Sequence, residues 1–183
     1  MFLSEHFTLR EMTKSYTAVR LGIQNKPSPQ QIENLKRLCD NVLEPVRKHF
    51  GIAFTPSSAF RSKGLNVAVG GAPASQHVAG EAADIEIPMV DNLDLALWIS
   101  ENVDFDQLIL ESYTASDPTS GWVHVSHRAD DNRGDVLSFN SGVYSDGLPV
   151  TMFSHATQVA DSGLLFTISN ILRDMLSLWR KKK

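Results

Sequence analysis

Ser75-Gln76-His77-Val78-Ala79-Gly80-Glu81-Ala82-Ala83-Asp84 is the stretch that decides the fold of this chain. It places an imidazole and a carboxylate seven residues apart and joins them through small residues. A second imidazole follows in Gly121-Trp122-Val123-His124-Val125-Ser126. Three protein ligands that leave a fourth position for water are typical of a catalytic zinc site. The spacing therefore predicts one such site, held by His77, Asp84 and His124.

Strand periodicity adds a carboxylate to this predicted site. Side chains at alternate positions of a strand share a face, so His124 faces the same way as Trp122 and is favoured as the ligand over His127. Residues 105–111 form another predicted strand, which ends at Glu111. If these two strands pair as a hairpin, Glu111 approaches the metal beside His124.

The rest of the pattern predicts helices first and then strands with one helix between them. Such an order is typical of an α+β fold, here with a mostly antiparallel sheet packed with helices around the zinc site. The predicted helices begin after Thr8 and Ser28 and cover 65–69 and 92–103, and the predicted strands cover 52–60, 82–87, 105–111, 122–127 and 136–139. Pro45 is expected to kink or split the second helix, and Gly51 to end it.

Composition limits the classes of protein to which the chain can belong. It has 183 residues with 42% apolar and 21% charged side chains, as expected for one folded domain. A net charge of -4 gives no support for nucleic acid as a partner. Cys39 is the single cysteine and lies on an apolar helix face, which predicts a core residue and no internal disulfide. No pattern indicates oligomerisation, so a monomer is favoured.

The two ends of the chain carry further expectations. Residues 1–6 lack a basic start and an apolar run, so we expect no secretory signal and a cytoplasmic location at synthesis. Composition changes at Asp146, which predicts a domain over 1–145 and an extension over 146–183. The extension contains a predicted amphipathic helix and the basic tail 180–183. That helix either docks on the protein's own core or contacts an anionic membrane peripherally.

The predicted constellation suits amide hydrolysis. A zinc ion held by the three ligands lowers the pKa of its water to about 7. Glu111 is then placed to take the water's proton and pass it to the leaving amine. Arg61 suits a bidentate clamp on a substrate carboxylate. The competing interpretation gives each residue an ordinary role: a structural histidine, a turn aspartate, a solvated glutamate and a surface ion pair.

The signature Ser75-x-His77-x-x-Gly80-x-Ala82-x-Asp84 resembles the zinc site of the D-Ala-D-Ala carboxypeptidase family. This family includes the L-alanyl-D-glutamate endopeptidases of phage endolysins and shares its fold with hedgehog signalling domains. Trp122-Val123-His124 resembles the family's second motif, and Ser58-Ala59-Phe60-Arg61-Ser62 resembles the segment whose arginine binds the peptide carboxylate. Residues 105–111 resemble the hedgehog strand that carries an acidic residue. The resemblance covers roughly residues 1–145 and implies a hedgehog/DD-peptidase-like fold.

One departure from the family pattern concerns the general base. Many members place an acid three residues before the last histidine ligand, where this chain has Gly121. The resemblance to the hedgehog strand assigns the base to Glu111 instead. His127, Asp130 and Asp131 are reserves for that role.

The sequence therefore leads to a function hypothesis with alternatives. The main hypothesis is a peptidase with one zinc ion that hydrolyses peptidoglycan stem peptides, as a D-Ala-D-Ala carboxypeptidase or as an endopeptidase near D-Glu. Arg61, Ser75 and Trp122 bind substrate in this interpretation. Like an endolysin, the protein would degrade the cell wall after the membrane is breached. The alternatives are an inactive zinc-stabilised module that binds wall peptide or a protein partner, and an α+β domain without metal.

Overall fold

The N-terminal helices begin at the predicted caps. The computed structural model of the protein describes residues 1–149. In it Thr8 caps α1 (Leu9–Thr13) and Ser28 caps α3 (Pro29–Leu38), each through a capping box with the side chain three residues on. These reciprocal hydrogen bonds satisfy backbone N–H groups that the first helical turn leaves without partners.

A π-helical turn at Cys39–Leu43 connects α3 to α4 (Glu44–Phe50). It ends two residues before Pro45, which has no backbone N–H to donate to the preceding turn, so the helix widens there without breaking. Gly51 ends α4 in the left-handed conformation at φ 65°. Cys39 is fully buried, and burial raises the pKa of its thiol to about 12, so it is a core residue as predicted.

The described residues contain five strands: β1 (Ala82–Ile85), β2 (Gln107–Glu111), β3 (Trp122–Ser126), β4 (Asp135–Asn140) and β5 (Val143–Asp146). They form one sheet in the order β1-β3-β2-β4-β5. Three neighbouring pairs are antiparallel, whereas β2 and β4 run parallel, so the α+β fold has a mixed sheet.

One predicted strand is absent from the described residues, and another lies at a different position in the sheet. Residues 52–60 form an irregular segment that touches the sheet through one isolated bridge, between Ser58 and Asp84. Burial of Phe54 and Phe60 produces an alternation of apolar and polar residues like that of a strand, although no neighbouring strand of the described chain pairs with this segment. The predicted edge strand 136–139 lies inside the sheet as β4, because β5 pairs with its other side.

The two faces of the sheet have different roles. One face contributes to the hydrophobic core, to which the α3–α4 helices and α7 (Asn92–Asn102) also contribute. Since strand residues alternate, Asp84 and His124 lie on the opposite face. Three short helices complete the described chain: α2 (Tyr16–Leu21), α5 (Lys63–Ala68) and α6 (Gln76–Ala79). The fully buried sheet residues in the main hydrophobic core cluster are Ala83, Ile85, Leu108, Leu110, Val123 and Val125.

Residues 1–148 form one compact unit. The predicted division between 1–145 and 146–183 stays a prediction, because the amphipathic helix and basic tail of the extension lie outside the described residues. Among residues 1–149, every helix is too short or too polar to span a bilayer.

Candidate metal centre

Two elements bring the predicted metal ligands together. The antiparallel register of β1 and β3 places Asp84 directly opposite His124. Helix α6 supplies His77 and ends at Gly80, whose φ is 75°. A Cβ at position 80 would lie 2.7 Å from the Gln31 backbone oxygen, so glycine is required for α6 to pack on α3. The small residue in the signature thus has a packing reason.

The three ligand atoms form a nearly equilateral triangle. His77 Nε2 lies 3.1 Å from Asp84 Oδ1 and 3.2 Å from His124 Nδ1, and the third side measures 2.9 Å. All three side chains are buried. Ligand atoms about 2.0 Å from a tetrahedral zinc are about 3.3 Å apart, so the triangle matches one face of that tetrahedron. His77, Asp84 and His124 are a buried group able to hold a metal ion.

The other nitrogen of His77 fixes the tautomer of the ring. His77 Nδ1 lies 2.6 Å from the Ala59 carbonyl oxygen, which can only accept a hydrogen bond, so Nδ1 carries the proton. Nε2 therefore directs a lone pair at the centre when the ring is neutral. Burial lowers the pKa of His77, which favours that neutral form. A neutral, oriented imidazole is the state in which histidine binds zinc.

Arg61 contacts the metal-ligand carboxylate. Its Nη2 donates to Asp84 Oδ2, and its Nε donates to Ser58 Oγ at 2.8 Å. Burial raises the pKa of Asp84, but the imidazoles of His124 and His77 that face its Oδ1 outweigh that effect and hold the pKa well below its usual range. The residue predicted to clamp a substrate carboxylate thus holds a carboxylate of the protein itself.

Glu111 and Trp122 face each other across the β2–β3 pair, as the hairpin predicts, and both line the groove that contains the metal ligands. Burial raises the pKa of Glu111 above its usual value. The indole nitrogen of Trp122 is buried and has no hydrogen-bond partner within residues 1–149.

The backbone explains why position 121 carries no acid. Gly121 has φ 68°, and a Cβ there would lie 1.9 Å from the Glu111 carbonyl oxygen. Only glycine fits such an approach in that conformation. The same contact that excludes a carboxylate at 121 packs this turn against the end of β2, where Glu111 lies.

The reserves for the base do not join the site. His127, Asp130 and Asp131 are absent from the lining of the groove, and His127 Nε2 instead lies 3.8 Å from Asp104 Oδ2. Within the described chain, Asp84 and Glu111 are the two carboxylates that line the groove.

The groove has a volume of about 1080 Å³ and extends well beyond the ligands. Ser75 lines it, and the Ser75 side chain makes no capping hydrogen bond to α6. Lys14, Tyr16 and Tyr144 also line the groove, and no sequence motif indicates them. They are distant from the motifs in sequence and reach the site only through the tertiary fold.

A second buried carboxylate lies next to the metal-ligand helix. Asp106 is 1% exposed and accepts hydrogen bonds from Arg133 Nε at 3.0 Å and Nη2 at 2.7 Å. Its Oδ2 also accepts from Gln76 Nε2 at 3.0 Å. Gln76 precedes His77 in α6, so this network ties the His77 helix to the start of β2. Sequence reasoning did not identify it.

A comparison of the sequence with protein families agrees with this geometry. The model of the Peptidase M15 family matches residues 5–126, more than half of the chain. No curated protein matches the chain. The match includes His77, Asp84, His124 and Glu111 and confirms the predicted resemblance. The chain belongs to the Peptidase M15 family, a family of zinc-dependent peptidases related to D-Ala-D-Ala carboxypeptidases.

Proposed function

We propose that the protein is a zinc metallopeptidase that hydrolyses an amide bond in a peptidoglycan stem peptide. The observation that supports this most strongly is the triangle of His77, Asp84 and His124 atoms, in which the tautomer of His77 directs a lone pair at the centre. A half-buried carboxylate, Glu111, lines the same groove. Family membership supports the zinc ion and the substrate class.

Each residue has a distinct role in this proposal. When bound by the three ligands, zinc supplies Lewis-acid polarisation of the substrate carbonyl and acidifies the attacking water. The Ala59 carbonyl holds the His77 ring in its ligand tautomer, and Arg61 orients Asp84. Glu111 accepts the proton of the attacking water and returns it to the leaving amine. The raised pKa of Glu111 lies closer to neutral pH than that of an ordinary glutamate, which suits both the uptake and the return of the proton.

Ser75 and Trp122 line the groove and contact the substrate in this proposal. Cleavage releases either a terminal D-alanine or an internal fragment near D-Glu, and the masses of the products identify which. An endolysin-like protein would accumulate in the cytoplasm and act on the wall after the membrane is breached.

The test compares the wild type with Glu111→Gln on purified muropeptides. We expect a rate lower by a factor of about 10²–10⁴, because the variant lacks the general base. Bound zinc, measured by metal analysis, should be unchanged. Glu101→Gln makes the same substitution at an exposed position of α7 and should retain wild-type rates. Equal rates for Glu111→Gln and wild type would contradict the role of Glu111.

Gly121 favours a second candidate function, since the acid found there in many relatives is missing. In this alternative the protein is a zinc-stabilised module that binds wall peptides without cutting them. A wild-type protein that binds zinc and muropeptides but releases no product would establish it. Absence of zinc from the purified protein would contradict both candidates.

A further inference from the structure

The groove contains one cation that no acidic group in the described chain neutralises. Its charged lining consists of the cations Lys14 and Arg61 and the carboxylates Asp84 and Glu111, beside the two histidines. Arg61 forms an ion pair with Asp84. Lys14 forms no ion pair within residues 1–149, so its ammonium group is available to an anionic ligand.

The side chain of Asn25 places Lys14 on the same wall of the groove as Arg61. Asn25 Nδ2 donates to the Thr13 carbonyl oxygen at 2.9 Å and to the Phe60 carbonyl oxygen at 3.0 Å. Lys14 directly follows the first carbonyl in sequence, and Arg61 directly follows the second. The backbones of the two cationic residues are therefore tied together through one amide.

Tyr16 orients the ammonium group of Lys14. Lys14 Nζ lies 5.0 Å from the centre of the Tyr16 ring, within the range of a cation–π contact. Tyr16 is 79% exposed and lines the same groove. A ring contact uses none of the three N–H donors of the ammonium in a conventional hydrogen bond, so they remain free for a carboxylate.

We propose that Lys14 selects substrate peptides that carry a free carboxylate away from the scissile bond, an assignment that rests on the proposed function. Arg61, to which the resemblance assigns the clamping of a substrate carboxylate, already donates through Nε to Ser58 and through Nη2 to the Asp84 carboxylate, which offsets its charge. Lys14 is the remaining cation on that wall. The chemical class of ligand is thus an anionic peptide, recognised through a carboxylate that is not itself hydrolysed.

The test uses the full chain and a stem peptide in which each free carboxylate is converted in turn to its carboxamide. For one of these peptides we expect the wild type to show a KM higher by about fivefold, the size of a solvent-exposed ion pair, with kcat unchanged. Lys14→Met should show the raised KM both for the unmodified stem peptide and for that carboxamide peptide. Lys14→Arg should restore the preference for the free carboxylate. Lys63→Met is the matched control, since Lys63 is exposed and outside the groove lining, and it should keep the wild-type preference.

The outcome separates this proposal from the proposed function. An acid-over-amide preference that persists in Lys14→Met, or a wild type that shows none for any carboxylate, overturns the role of Lys14 while cleavage itself stands.

If the wild type cuts no peptide, the proposed function fails. Dissociation constants of the same acid and amide peptides, measured by calorimetry for wild type and Lys14→Met, then decide the role of Lys14 alone. Loss of the preference in Lys14→Met supports it, and an unchanged preference overturns it.

Discussion

Asp84 and Asp106 are both buried and both have a pKa below the usual range, yet their partners differ in kind. Asp106 receives hydrogen bonds only from groups that must donate: the guanidinium and backbone N–H of Arg133 and the Gln76 amide. Asp84 meets Arg61 through one oxygen, and through the other it meets two imidazole nitrogens, one of which has no proton to give in the neutral ring.

This difference separates a structural ion pair from a metal centre. The hydrogen-bonding capacity of Asp106 is met by cationic and amide donors, so nothing further is required there. Around Asp84, the lone pair of His77 Nε2 points at a carboxylate oxygen and at a second nitrogen, which is unfavourable unless a cation lies between them. Burial and a lowered pKa alone would not distinguish the two aspartates.

The largest expected effect comes from exchanging the two carboxylates for amides. Asp84→Asn should lose bound zinc, because it removes a metal ligand itself. The cleavage rate should fall by more than about 100-fold, the upper effect of losing a residue that only hydrogen-bonds to a metal ligand. Asp106→Asn should keep zinc but lower the free energy of unfolding by about 1–2 kcal/mol, because it weakens the hydrogen bonds with a partly exposed arginine. Metal analysis and urea denaturation measure the two effects. An Asp106→Asn protein that is folded but free of zinc would remove the distinction.

A smaller effect concerns pH and tests the ion-pair side of the comparison. Hydrogen bonds from Arg133 lower the pKa of Asp106 below its usual 3.8. The stabilisation is therefore fully present above pH 3.8 and is lost as the pH falls through the lower pKa of the folded state. Arg133→Met should lower the free energy of unfolding by about 1–2 kcal/mol at neutral pH, since the arginine is partly exposed.

Urea denaturation at several pH values measures this difference, which should shrink in acid. Arg128→Met is the matched control, because Arg128 only approaches Asp106 to 3.9 Å and is 47% exposed. A difference between wild type and Arg133→Met that stays constant below pH 3.8 would show that the stabilisation does not depend on the charge of Asp106.

The smallest expected effect comes from the residue that connects the two regions. Gln76→Ala removes the amide that ties α6 to Asp106 and should weaken zinc affinity by less than about tenfold, since His77 keeps its bond to Ala59. Competition with a chelator measures the affinity. Gln30→Ala, in the first turn of α3, should leave zinc affinity unchanged. Unchanged affinity in Gln76→Ala would mean that the two regions are independent.

The placement of the candidate ligands could be predicted from the sequence because it depends on local rules. Alternation along a strand fixed the face of His124 and Asp84, and a hairpin between two adjacent strands brought Glu111 to the same groove. The caps Thr8 and Ser28 were also recognisable, since each relies on residues within one helical turn.

The parts that could not be predicted depend on partners distant in sequence. Hydrophobic alternation reports burial but not which strand lies alongside, so the parallel β2–β4 pairing and the position of β5 were missed. The same limit applies to Lys14, whose place in the groove follows from the hydrogen bonds of Asn25 to two distant carbonyls. The Asp106–Arg133 pair likewise joins residues 27 positions apart without a recognisable motif.

Gly121 also constrains how this protein can evolve or be redesigned. An acid at this position cannot be introduced by a single substitution, because any side chain at position 121 meets the Glu111 carbonyl oxygen in a left-handed backbone. Moving the base from Glu111 to 121 requires the connection between β2 and β3 to be rebuilt at the same time. A variant with an acid at position 121 and the present connection would lose the fold of this turn, so redesign has to change the two together.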